Sequence, residues 1–87
     1  MATYVITHEV DDVQAWLKSP KRSEAFATVG ATQQEFVDPA GSNKIAIVAE
    51  IPDFAKFQEF LQSEAAAEAM KHDGVRPETI VVFEAGS

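Results

Sequence analysis

The order strand, helix, strand, strand, helix, strand predicts an α+β domain, with a four-stranded antiparallel sheet and helical layers on one face. Three observations carry this reading. β-branched and aromatic residues gather in four short stretches, two helical stripes separate these in pairs, and one run of turn residues, Asp38-Pro39-Ala40-Gly41-Ser42-Asn43, joins the middle two.

Thr3 to Val10 sets Tyr4, Val5, Ile6 and Val10 among threonines, a strand closed by the acidic pair Asp11-Asp12. Either aspartate suits a helix cap, after which Val13, Trp16 and Leu17 continue from Val10 at helical spacing. Proline donates no amide hydrogen, so Ser19-Pro20 interrupts this helix and begins a second segment with Phe26 and Val29, stopped by Gly30. Ala31 to Val37 is the most polar strand, with Gln33, Gln34 and Glu35, and is expected at an edge or interface. Lys44 to Ile51 is largely apolar on both parities, so both of its faces need cover. Glu50 within it is read as solvated at the domain edge. Pro52-Asp53 starts a helix with Phe54, Phe57, Phe60 and Leu61 on one stripe, and Ser63 restarts it into the alanine-rich run Glu64 to His72. Asp73-Gly74 ends that run, Arg76-Pro77 reads as a connecting loop, and Thr79 to Glu84 is the last strand.

Right-handed crossovers place the strands in the spatial order four, one, three, two, the ferredoxin-like βαββαβ arrangement, in a single domain over residues 1–87. Helices on one face leave the other bare. Because the first, third and last strands are apolar on both parities, that bare face is expected to meet a second copy, giving a homodimer through sheet faces. In its element order, in the strand pair YVITHEV and NKIAIVAEI, and in the tail EAMKHDGVRPETIVVF, the chain resembles the dimeric α/β-barrel superfamily. That superfamily includes antibiotic-biosynthesis-monooxygenase-like, muconolactone-isomerase-like and stress-responsive barrel proteins. The resemblance covers nearly the whole chain. It implies a dimer with a pocket between sheet and helices in each subunit, often handling a small, apolar, sometimes aromatic compound without a bound cofactor.

Composition narrows the partners. The absence of cysteine removes disulfides, thiolate nucleophiles and cysteine-ligated metals, and a net charge of −7 disfavours nucleic acid and anionic membrane surfaces. No apolar run approaches the roughly 20 residues of a membrane helix, and Met1 to Val10 lacks the pattern of a secretion signal, so a cytoplasmic location is expected. Glycine-rich phosphate loops and GxSxG elbows are missing, which argues against nucleotide-dependent enzymes and serine hydrolases.

Chain direction brings the end of the first strand, the hairpin and the end of the second helical layer together, and with them His8, Glu9, Asp38, His72, Asp73 and Arg76. His8 shares parity with Tyr4 and Ile6 and is the candidate catalytic acid or base, the alternative being a hydrogen-bonded core histidine. His72 and Arg76 are candidates to bind an anionic or enolate oxygen. Their alternatives are a helix-end cation and a surface ion pair with Glu78 or Asp73. Tyr4, Trp16 and Phe57 are expected to bound an apolar cavity, with plain core packing as the alternative for the phenylalanine stripe. Arg22 joins Lys18 and Lys21 in the only basic cluster, beside Trp16, where positive charge at a helix start invites an anion. His8 and His72 with Glu9 or Asp73 are the prospective metal donors but lack HxH or HExxH spacing, so neither a metal nor a cofactor is expected. Two functions are expected to compete. One is a small cofactor-free oxygenase, isomerase or cyclase acting by proton transfer on a small hydrophobic carbonyl or aromatic compound. The other is a non-catalytic ligand-binding or dimerisation module of the same fold.

Overall fold

Alternation decides the first strand, β1 (Ala2–Val10), in which Tyr4, Ile6, His8 and Val10 are buried and Val5 is exposed. The structure is a computed structural model and describes residues 2–86. β1 runs between β3 (Lys44–Ile51) and β4 (Val75–Glu84), while β2 (Thr32–Val37) pairs with the far side of β3. All pairings are antiparallel, and the order β2-β3-β1-β4 is the predicted ferredoxin-like topology with the polar strand at an edge.

Four short helices cover one face: α1 (Val13–Lys18), α2 (Lys21–Thr28), α3 (Phe54–Leu61) and α4 (Glu64–His72). Their starts follow from the chain chemistry. Asp12, Asp53 and Ser63 sit in extended backbone and each accepts a hydrogen bond at 3.2 Å from the amide three residues on. Pro20 separates α1 from α2, and Gly30 and Gly74 follow α2 and α4 at φ of 70° and 69°, backbone that side chains resist. Beneath the helices, Ile45, Ile47, Ala49 and Ile51 of β3 pack with Trp16, Phe26 and Phe57. Each large side chain taken fully from water contributes about 1.5–3 kcal/mol.

β4 begins earlier than expected. Arg76 and Pro77 belong to this strand rather than to a loop, because Val75 and Arg76 already pair with Val10 and Glu9. The register then shifts: Glu9 faces Arg76 but Thr7 faces Val81, so His8 alone stands opposite the four residues 77–80. Pro77, which cannot donate to a ladder, falls inside this bulge. Thr79 supplies the missing bond, its Oγ1 accepting from the Glu9 amide at 2.8 Å and donating to the Arg76 carbonyl at 2.6 Å.

The face away from the helices carries Val5, Phe36, Val81 and Phe83, which the register groups around Ala46 and Val48. These four are 36–56% exposed. Glu50 also lies on this side, half-buried and accepting from the Thr3 hydroxyl at 2.7 Å, rather than solvated at an edge. Among the described residues no helix is long and apolar enough to cross a membrane.

Candidate functional site

Between the sheet and the helices lies a cavity of about 90 Å³. About 10–15 Å³ of such space admits one water, so the void is large for so small a domain. Ile6 and Ile47 form part of its floor, Phe57, Phe60 and Met70 part of its roof, and Ile80 and Val82 come from β4. Four of its lining residues carry charged or titratable side chains, His8, Lys21, Arg22 and Asp73, and Trp16 lines it against His8 and Arg22.

His8 is buried and on the cavity wall because its parity on β1 is that of Tyr4, Ile6 and Val10. Its ring meets the Trp16 ring edge to face, with centroids 6.0 Å apart and planes at 82°. Nδ1 lies 3.5 Å from the Glu9 carbonyl, a long contact in which nitrogen donates. With the proton on Nδ1, Nε2 is an acceptor, and no group among the described residues hydrogen-bonds to it. Desolvation pushes the His8 pKa below its ordinary 6.5, the Glu9 carbonyl partly offsets this, and the Arg22 charge adds to the lowering. The buried ring is neutral at neutral pH.

Arg22 is 7% exposed, and its guanidinium lies over the Trp16 ring, 3.7 Å from the centroid. Nε and Nη2 both donate to Glu35, Nη1 donates to the Trp16 carbonyl at 3.1 Å, and Asp73 lies 3.9 Å from Nη1. Glu35 reaches this cluster because it stands opposite Ile47, which faces the helices. Asp73, 5% exposed at its side chain, also accepts from His72 Nδ1 at 2.9 Å.

The sequence candidates divide. His8, Trp16, Arg22 and Phe57 come together on the cavity wall. Tyr4 faces the helices but stacks on Phe54, ring centroids 4.4 Å apart, and this stack puts it outside the lining; burial and Glu84 raise its pKa. The His72 imidazole is 59% exposed and reaches the site only through Asp73. Arg76 is turned away, because the β4 register sets it beside Glu9 at 3.2 Å and Asp11 at 3.0 Å, not Glu78 or Asp73. These carboxylates raise its pKa, first through the Asp11 hydrogen bond. Sequence reasoning missed Glu35 and the burial of Asp73. Strand parity is the signal that finds Glu35. Among the described residues no three of His, Cys, Asp and Glu converge as a metal site.

Comparison with family models and with curated proteins found no match. Solved structures do match. The chain is similar to an antibiotic biosynthesis monooxygenase, with a TM-score of 0.64 and 14% identity over 100% of this chain and 98% of that one. It is similar also to a protein from Deinococcus radiodurans provisionally described as an antibiotic biosynthesis monooxygenase, with a TM-score of 0.60 and 14% identity over 100% and 92%. A third likeness is to the protein YJCS, with a TM-score of 0.61 and 9% identity over 98% of each chain. At these identities the likeness is one of fold, and the chain shares the ferredoxin-like fold of the antibiotic-biosynthesis-monooxygenase structures.

Proposed function

We propose that the protein is a small enzyme that admits a compact carbonyl or aromatic compound to the cavity and moves a proton on it through His8. One observation carries the reading: the buried His8 imidazole, its pKa lowered by desolvation, lines a largely apolar cavity and makes its one hydrogen-bond contact through Nδ1, which leaves Nε2 without a protein partner among the described residues. In this reading Nε2 takes a proton from carbon beside a carbonyl, or from a phenol, and returns it elsewhere on the compound. Arg22 has five N–H groups, of which Glu35 and the Trp16 carbonyl occupy three, so two remain for the carbonyl oxygen. They oppose the charge that gathers on that oxygen as the proton leaves. The base and these donors suffice for such a transfer, and the reading assigns no cofactor. Oxygenase, isomerase and cyclase chemistry all pass through such a step.

The assembly belongs to the same proposal. Val5, Phe36, Val81 and Phe83 on the bare sheet face support packing against a second copy, which completes a dimeric α/β barrel in the cytoplasm. One observation favours the competing reading of a non-catalytic carrier. The only contact orienting His8 through Nδ1 is the 3.5 Å reach to its neighbour's carbonyl, weak tethering for a base. The test screens cyclic and aromatic ketones for thermal stabilisation, then follows deuterium exchange beside the carbonyl of each bound ketone in D₂O. Exchange by wild type and its loss in His8→Ala with binding retained is the expected result. Binding without exchange by wild type makes the protein a carrier, and no binding removes the reading altogether.

A further inference from the structure

Of the residues that line the cavity, only Lys21 and Val82 are exposed, so these two mark where the void reaches solvent. Lys21 opens α2, and among the described residues it makes no ion pair. The other three charged or titratable groups of the lining carry no unbalanced charge. Arg22 is matched by Glu35 and Asp73, Asp73 also holds His72, and His8 is neutral. A carboxylate placed deep in the cavity would find Arg22 already matched and Asp73 close by. One placed at the mouth finds a free ammonium in a chain whose net charge is −7.

Resting on the proposed reading of the cavity, we infer that Lys21 is the specificity-determining residue of the mouth, and that the natural ligand is a compact apolar acid. Its ring lies inward against Trp16 and Phe57, and its ionised carboxylate points outward to Lys21. The apolar body supplies affinity through burial, and the exposed ion pair supplies selection and orientation, so its share is modest. This orientation leaves the inner end of the compound facing His8.

The test compares three probes of one shape: cyclohexanecarboxylate, cyclohexylmethanol and cyclohexylmethylamine. None absorbs where tryptophan emits, and Trp16, the only tryptophan, stands on the wall, so its emission reports occupancy alongside the thermal shift. Wild type is expected to prefer the carboxylate over the alcohol by about two- to fivefold, the range of an exposed ion pair, and to bind the amine least. Lys21→Gln removes the preference and leaves alcohol binding unchanged, while Lys21→Glu shifts the preference to the amine. Equal affinity of wild type for carboxylate and alcohol overturns the inference while the cavity reading survives. A preference that persists in Lys21→Gln overturns it as well. Binding of none of the three refutes the cavity reading, and with it the inference.

Discussion

Filling the cavity should make the protein more stable and less able to bind. Ala25 is the position to change, since it lies half-buried on α2, lines the void and sits mid-helix, where alanine and leucine have nearly equal propensity. Ala25→Leu therefore reports packing rather than helix formation. At about 24 cal/mol per Å³, a void of about 90 Å³ represents about 2 kcal/mol of forgone stability. The three added carbons give a similar ceiling at about 0.8 kcal/mol per buried methylene. Because Ala25 is only half-buried, about half of that is realised, so ΔG of unfolding in urea rises by about 1 kcal/mol. For a domain of this size the melting temperature rises by about 4–8 °C at fixed protein concentration. Ligand stabilisation seen in wild type is lost in the same variant. A fall of about 1–3 kcal/mol would mean that the leucine overpacks a core with no void, and undiminished ligand binding would place the ligand elsewhere; either result refutes the argument.

Lowering of the His8 pKa below 6.5 means that the unfolded chain binds more protons in that window, so stability falls as pH drops from 6.5 toward the folded value. His8→Gln should flatten this part of the urea stability profile, and unchanged curvature would deny His8 a neutral buried state. Phe83→Lys on the bare sheet face should halve the mass measured by sedimentation at micromolar concentration, and a wild type already monomeric there contradicts packing through this face. Deleting the three residues 77–79 brings Ile80 opposite His8 and gives β1 and β4 one continuous register. The shortened chain should fold, by circular dichroism, and bind no ligand by thermal shift; retained binding would show that the bulge does not hold the site open.

Architecture was legible wherever a local rule decides it. Burial of every second residue from Tyr4 to Val10, the caps at Asp12, Asp53 and Ser63, and the break at Pro20 each follow from a few neighbouring residues. Site geometry depends instead on register. Arg76 was read as a candidate anion binder or else as a partner of Glu78 or Asp73, yet three extra residues in β4 put it beside Glu9 and Asp11 on the neighbouring strand and its exit. Arg22 was read as part of a basic cluster open to an anion because its partner lies thirteen residues away on the polar strand, where Glu35 turns inward only by virtue of its parity. Tyr4 shows the limit of parity: it identifies the face but not the position along it, and Phe54 occupies the space over Tyr4.

The bulge links these facts to chemistry. In a regular ladder one β4 residue would stand opposite His8, and an edge strand so paired would close down on the imidazole. Four residues stand there instead, and the exposed Pro77 and Glu78 take up the surplus on the solvent side while Ile80 returns to line the cavity. The cost in lost ladder bonds is limited, because Thr79 caps the Glu9 amide with its hydroxyl. A histidine of suitable parity in an unbroken strand would be an ordinary core residue, its nitrogens satisfied by neighbours or water. Here Nε2 makes no hydrogen bond to the described residues, and Arg22, held over Trp16 by Glu35, lines the same largely apolar cavity. Of the buried polar residues His8, Arg22 and Asp73, His8 is the one that faces the irregular stretch of the sheet, and sequence periodicity is least informative at that point.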